Sequence, residues 1–509
     1  MIIKIKRIGK IKPFDKFYHH VHFDRNIKDK ISRNINLIVE EMSSILAFGI
    51  NSGYKDLSKY NLRWELNLQE NEVAGKVKSE NNYIDVKYNL YSDKIKNSCE
   101  SIIRNLVSIL VVIDRNLDED SIDKEAEVYK FGKARIKELE DIKTTFDLFM
   151  EYSEDDDFAR IVDIDRNYNN FELRVVPLKL AQLFEENILS QIDSGIFLSA
   201  TLSIENNMDY FKSTLGINRV DNVEKIIEPL YDYKKRVSII GINDICTYQN
   251  KDFPKEMGKI IGNISQITDG HLLSLFNSKD RQERTYDILK EHLNNKNMEV
   301  YMNKKGIKNL KDINKRCIVL GSKGCFEGVD VPGDGLTCVT LDKIPNINPK
   351  DPLYSTIMKK YNLPYYKINY PQMAIKVKQA MGRILRSKFD YGCFIIFNTG
   401  TNINTLKRLE KDLHECNISI MSENKIYNYI NQHLYKSRKD VMNLALTEII
   451  SLLNYNEKIS MKNIEKYMNN EMKNRSIKSK VIHEDSEVDI LKVKYFNQNY
   501  LIHKEKLKK

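Results

Sequence analysis

No run among these 509 residues approaches the roughly 20 consecutive apolar residues that a membrane-crossing helix needs. The opening Met1-Ile2-Ile3-Lys4-Ile5-Lys6 alternates apolar with charged residues. It lacks the continuous apolar centre of a signal peptide and reads as a short strand. No membrane partner and a cytoplasmic location are therefore expected. The seven cysteines contain no C-x-x-C pair, and an odd, scattered set excludes a disulfide framework and a zinc ribbon. Free buried thiols are the expectation. His19, His20 and His22 cluster without an acidic or Cys side chain at ligand spacing, so no metal site is expected there. Also missing is the phosphate-binding loop G-x-x-x-x-G-K-S/T. The Gly-Lys pairs Gly9-Lys10, Gly75-Lys76, Gly132-Lys133 and Gly258-Lys259 are not followed by Ser or Thr. Such a loop needs its lysine for the β- and γ-phosphates and its hydroxyl for Mg²⁺. A D-E-x-H box is absent too.

What the chain does contain is a globular composition, with 41% hydrophobic and 30% charged residues. That is enough apolar material for more than one core. At the usual ~100–200 residues per domain, the length predicts about three domains. The net charge is +10, and residues 423–509 hold 17 Lys and Arg against 11 Asp and Glu, so this tail supplies +6 of it. Such a basic excess fits a polyanionic partner without requiring one.

Hydrophobic spacing divides the chain at about residues 150 and 420. Residues 1–150 read as a helix-rich region. Ile31, Ile35, Ile38, Met42 and Ile45 recur at helical spacing, as do the apolar residues of 102–117, and a further helix is expected over 124–150. Leu110-Val111-Val112-Ile113-Asp114 could pass for a buried strand, but it continues the periodicity from Ile102 and is read as helix. Segments 62–68 and 83–88 alternate like paired strands. The run Glu154-Asp155-Asp156-Asp157 is expected to be a solvated loop. Residues 158–164 and 171–176 look like strands around the turn-rich 167–170. Across 151–420 short apolar runs (195–198, 272–276, 317–320, 337–341, 393–397) alternate with helical patterns, notably 279–293 and 372–385. That rhythm predicts an α/β fold, a parallel sheet covered by helices on both faces. Residues 421–509 read as a basic, largely helical extension ending in a hairpin near Phe496-Asn497-Gln498-Asn499.

Four segments of the middle region carry polar chemistry. Leu198-Ser199-Ala200-Thr201 places small hydroxyls, Ser199 and Thr201, at an expected strand end. The strand 271–276 ends in Asn277-Ser278, at the carboxyl edge where open α/β sheets bind ligands. Gly321-Ser322-Lys323-Gly324-Cys325-Phe326-Glu327-Gly328-Val329-Asp330-Val331-Pro332-Gly333 offers glycines that let backbone approach a ligand closely. Its Glu327 and Asp330 can accept from backbone, water or metal-bound water. Gln379-Ala380-Met381-Gly382-Arg383-Ile384-Leu385-Arg386 puts two guanidinium forks three residues apart, on one side of a helix. Such forks suit phosphate oxygens.

In this order the four segments resemble the S-A-T motif and motifs IV, V and VI of DinG/XPD-like superfamily 2 helicases, over about residues 145–415. The resemblance implies a RecA-like second motor lobe, preceded by part of an arch-type insertion. It implies that Arg383, Arg386 and Gln379 act in catalysis, and that Glu327, Gly328, Asp330 and Gly382 face ATP. Ser199, Thr201, Ser278 and Ser322 would contact nucleic acid or couple it to the nucleotide. The chain departs from the family with Cys325-Phe326 where Phe-Trp is common, and with Asn398 where an aspartate is common. Since the P-loop is missing, ATP and Mg²⁺ are expected only with a protein chain that carries the P-loop and D-E-x-H motifs. No iron–sulfur cluster is expected, and the nucleic-acid partner implied is single-stranded or forked DNA. A non-hydrolysing nucleic-acid-binding scaffold and a gene fragment are the alternatives.

Overall fold

The computed structural model describes residues 2–5, 25–51, 61–65, 73–79, 82–88, 93–117, 127–150, 157–165, 170–294, 296–349, 351–397, 403–455, 461–472, 475, 477–483, 490–495 and 498–503. The chain forms two compact units. One comprises Met1–Ser194 with Ile347–Ile368, the other Gly195–Asn346 with Asn369–Lys509.

In the first unit the helices Arg25–Asn51, Asp93–Leu117 and Glu127–Met150 pack in succession. Ile102, Leu106, Ile109 and Ile113 are buried along one stripe of the second helix, which holds the stripe's continuation through Asp114 in helical form. A six-stranded antiparallel sheet accompanies them, in the order β1-β6-β5-β2-β3-β4. Its strands are β1 (Ile2–Ile5), β2 (Asn61–Glu65), β3 (Val73–Ser79), β4 (Asn82–Tyr88), β5 (Phe158–Asp165) and β6 (Asn170–Pro177). The alternating segments around Trp64 and Ile84 are both strands, but not neighbours, because β3 pairs with each of them and separates the two. Asp157 departs from the solvated loop expected for it. Its carboxylate meets Lys179 at 2.6 Å and Lys360 at 3.1 Å, and accepts from Tyr361 at 2.9 Å. Burial alone would raise its pKa, but these partners bring it below the usual carboxylate value. The histidine cluster, residues 154–156 and the turn at 167–169 lie outside the described residues.

The second unit holds seven parallel strands in the order β13-β7-β12-β11-β8-β10-β9. They are β7 (Val237–Ile242), β8 (Leu272–Leu275), β9 (Glu299–Met302), β10 (Cys317–Gly321), β11 (Cys338–Leu341), β12 (Gly392–Phe397) and β13 (Ile418–Met421). Successive side chains leave a strand on opposite faces. Along β12, Cys393, Ile395 and Phe397 therefore enter one core, and Phe394 and Ile396 the other. Both faces are covered, as the apolar runs predict, and the sheet is the parallel α/β arrangement expected of this region.

One expected strand is missing. Residues 195–198 form no strand, and Ile196 and Leu198 are 87% and 88% exposed. An extended segment becomes a strand only by pairing its backbone, and no strand among the described residues pairs with it.

The C-terminal extension is helical over Glu423–Tyr455 and Met461–Glu471, then forms an antiparallel sheet of β14 (Ile477–His483), β15 (Ile490–Tyr495) and β16 (Gln498–His503). The expected hairpin joins β15 to β16. Ile426, Ile430, Leu434, Met442, Met468 and Tyr495 share one core with residues of β7, β8 and β12, so the extension completes the second unit.

Candidate active site

Because β8, β10 and β11 run parallel, the chain leaving β10 at Gly321 must travel back along the sheet to enter β11 at Cys338. Residues 322–337 make that return. Cys325, Phe326, Val329, Val331 and Leu336 anchor it by entering the core beneath. Between Phe326 and Val331 the remaining residues face outward, and Glu327, Gly328 and Asp330 are exposed. Gly328 has φ +71°, a left-handed conformation that lets the segment turn between Phe326 and Val329. Ser322 is tied down at the start, its hydroxyl donating to Asn303 Oδ1 at 3.0 Å.

The helix Tyr365–Met381 lies over the same core through Met373, Ala374, Val377 and Ala380. It ends four residues before the expected Leu385, so Arg383 and Arg386 are in the loop beyond it. Gly382 makes the last helical bond, to Lys378 O at 2.8 Å, and Arg383 N turns more tightly to Ala380 O at 3.3 Å. The Asp390 carboxylate then accepts from the amides of Arg386 at 2.6 Å and Ser387 at 2.7 Å, which draws the chain out of helical register.

The loop still brings both arginines onto the return segment. Arg383 donates from Nε and Nη2 to Phe326 O at 3.1 and 2.6 Å, and from Nη1 to Val329 O at 3.0 Å. Arg386 donates to the same Val329 O at 3.2 Å, and its Nε lies 3.6 Å from Asp330. Gln379 donates to Glu327 at 3.2 Å. Burial, then the neighbouring Arg386, lowers the Arg383 pKa from its ordinary value. Thus two carbonyls gather two guanidinium groups at an exposed acidic turn. The Arg383 donors are largely used inside the protein, while Arg386 is the more exposed and the less bonded of the pair.

Residues 261–415 match the family model described as a helicase C-terminal domain. The chain is 25% identical over 296 residues to the 3'-5' exonuclease DinG of Bacillus subtilis, a match covering 55% of this chain and 32% of that protein. It is 25% identical over 235 residues to the ATP-dependent DNA helicase YoaA of Escherichia coli, covering 45% of this chain and 36% of the relative. This region resembles the C-terminal part of DinG-like helicases. The chain spans about a third of the length of these curated relatives. Among solved structures, S. tokodaii Xpd4 aligns with 83% of this chain and 72% of its own at 14% identity, with a TM-score of 0.45.

Within this helicase region the remaining expected residues are dispersed. Ser199 and Thr201 lie on the exposed segment, bonded to each other at 3.3 Å. Neighbouring Ser203 receives the Lys378 ammonium on its carbonyl at 2.8 Å, which ties the segment to the helix that precedes the arginines. Ser278 follows the carboxyl end of β8, but its hydroxyl caps the helix Lys279–His292 by accepting from Arg281 N. Asn398 lies outside the described residues. Cys325 and Phe326, where the family differs, are both core residues.

Other residues organise the site without having stood out in the sequence. Asn303 bonds Ser322 and Gln282 from a backbone with φ +57°. The buried Asp342 receives the Arg281 guanidinium at 2.9 and 2.6 Å, and the Asn277 side-chain amide at 2.8 Å. Asp390 could have been suspected from its place three residues after Ser387, a spacing at which a carboxylate can reach back to loop amides. The partner of Asp390 and Asp334, Arg475, lies 85 and 141 residues beyond them and leaves no local signal.

The seven cysteines are free. Burial pushes the thiols of Cys99, Cys317 and Cys393 up to about 12, which keeps them protonated and unreactive. Among the described residues no group of three or more His, Cys, Asp or Glu side chains could hold a metal ion. None of the described helices is long and apolar enough to cross a membrane.

Proposed function

We propose that this chain supplies the second motor lobe of an ATP-dependent DNA helicase and acts on ATP held by a P-loop lobe that these 509 residues do not contain. The observation that carries the proposal is the bonding of Arg383 to Phe326 O and Val329 O and of Arg386 to the same Val329 O. It brings the outward turn at Glu327–Asp330 and the loop after Gly382 to one place. The exposed carboxylates of Glu327 and Asp330, beside the accessible Arg386, fit a site shared with a nucleotide and its metal-bound water. Arg386 reaches the phosphates, where a cation stabilises the charge that develops as the γ-phosphoryl departs. Arg383 shapes the turn. ATP with Mg²⁺ supplies the free energy for movement along single-stranded or forked DNA. Mg²⁺ ligation falls to the phosphates and the other lobe.

Several exposed apolar side chains support a partner lobe. Ile196, Leu198, Val223, Ile227 and Leu230 lie within 36 residues of one another in the second unit, and Val223 is 99% exposed. Leu198, Ile227 and Leu230 line one cavity, and apolar exposure gathered in this way fits an interface.

The decisive experiment measures ATP turnover by the pure chain, by a P-loop lobe, and by the two together with single-stranded DNA. The expected result is negligible turnover by this chain and DNA-stimulated turnover by the mixture. Robust DNA-stimulated turnover by the pure chain would overturn the proposal. Binding of the two proteins without any gain in turnover would favour a scaffold instead.

A further inference from the structure

Behind the arginine loop lies a buried ionic network that no part of the proposed chemistry has used. Asp334 and Asp390 are 0% and 1% exposed, and Arg475, between them, is 4% exposed. Arg475 Nη1 meets Asp334 at 3.2 Å, and its Nη2 makes a close ion pair with Asp390 and donates to Ser387 Oγ at 3.3 Å. Tyr391 and Tyr495 each donate to Asp334 at 3.0 Å, and Arg438 donates to the Tyr391 hydroxyl at 3.2 Å. Three separate parts of the C-terminal extension thus converge here: Arg438 from the helix Glu423–Tyr455, Arg475 from the entry to β14, and Tyr495 from β15.

What these residues enclose is the scaffold of the site. Asp390 accepts from Gly333 N at 3.1 Å, on the return segment after β10, and from the amides of Arg386 and Ser387. One carboxylate therefore joins both chemistry-bearing segments, and it sets the backbone from which the Arg386 side chain departs. Two carboxylates this deeply buried repel each other unless a cation lies between them. Arg475 is that cation. Of the two further guanidinium groups at this corner, Arg438 donates to the Tyr391 hydroxyl and Arg236 to the Asp390 carbonyl at 3.4 Å.

We infer that Arg475 is a positioning residue for Arg386, and that the C-terminal extension acts as a clamp which holds the segments of residues 322–337 and 382–391 in working register. The inference rests on the reading of Arg386 as the nucleotide-facing group, but its structural half can be measured without any nucleotide.

The test uses the full chain with Arg475→Gln and, since a neutral residue there could prevent folding, with Arg475→Lys, which keeps the charge and loses the fork. Hydrogen exchange is followed in peptides covering 383–391, with those of β8 and β10 as the internal reference. Turnover with a P-loop lobe is measured in parallel. Exchange over 383–391 is expected to rise about tenfold in the Gln variant while β8 and β10 stay protected, with a smaller rise in the Lys variant. The kcat is expected to fall about tenfold, with the KM for ATP within about twofold and partial recovery in the Lys variant. Unchanged exchange over 383–391 would overturn the clamp. So would an equal rise across the whole unit, which marks general loosening, or an unchanged kcat. If the unaltered chain gives no turnover with a P-loop lobe, the motor reading fails, and the exchange result still decides the clamp.

Discussion

Arg383 and Arg386 are chemically identical and three residues apart, yet their surroundings assign them different work. Arg383 spends three bonds on the carbonyls of Phe326 and Val329, so its loss leaves buried acceptors unpaired. Arg383→Ala is expected to cost about 1–3 kcal/mol of stability in urea unfolding and to lower joint ATP turnover as a consequence. The Arg386 side chain makes one bond, to Val329 O, and an exposed pair with Asp330. Arg386→Ala is expected to leave unfolding within about 0.5 kcal/mol of the unaltered chain, to abolish joint ATP turnover, and to spare DNA binding. Equal turnover by the Arg386 variant would remove its assignment to the phosphates. The spacing of the arginines and their residue types were legible in the sequence. Their unequal bonding was not, because it is set by carbonyls more than 50 residues away.

At the scale of elements, the segments with strong periodicity were read correctly and those that depend on a partner were not. The strands β8, β10, β11 and β12 announce themselves as apolar runs because burial on both faces demands it. The helix before the arginines was placed too far along, since its end is decided by the distant Asp390 carboxylate rather than by its own residues. Residues 195–198 have strand composition but no edge to join. The return segment after β10 provides a direct test of how closely it is packed. A Cβ on Gly335 would lie 2.3 Å from Leu310 O and 2.9 Å from Val331. A Cβ on Gly328 would meet nothing within 4 Å and would bear only the strain of φ +71°. Gly335→Ala is therefore expected to lower the urea midpoint by the equivalent of 3 kcal/mol or more, about the upper end for overpacking. Gly328→Ala is expected to cost about 1–2 kcal/mol. The reverse order would mean that the turn, not the crossing, limits the fold.

At the scale of the whole molecule, the residues after 421 change meaning most. By composition they read as a basic tail, but their apolar residues complete the core of the second unit, and Arg475 and Tyr495 close its polar corner. Removing 423–509 is expected to unfold that unit, seen as loss of cooperative thermal melting, rather than merely to weaken DNA binding. A truncated chain that melts cooperatively at an unchanged temperature would refute this. Stability is also expected to depend on pH. Burial lowers the pKa values of His271 and His433 below the ordinary imidazole value. The unfolded chain then binds protons that the folded chain refuses, so the histidine contribution is intact above about pH 6.5 and is lost as the pH falls from there towards the depressed folded values. The melting temperature is expected to fall between pH 7 and 5, and His433→Gln is expected to flatten that fall. A flat profile over this range in the unaltered chain would contradict the buried neutral imidazoles.

Local residue patterns by themselves determined the parallel sheet, the likeness to a helicase C-terminal region and the absence of a phosphate-loop motif from these residues, because each is written in short-range periodicity or in a contiguous motif. The tertiary structure alone decided which of two arginines is the less bonded, where their helix stops, and that a distant guanidinium meets the carboxylate that holds their loop. Those outcomes depend on charges and carbonyls brought together from separate stretches of chain. Burial makes such meetings strong, and sequence distance makes them invisible.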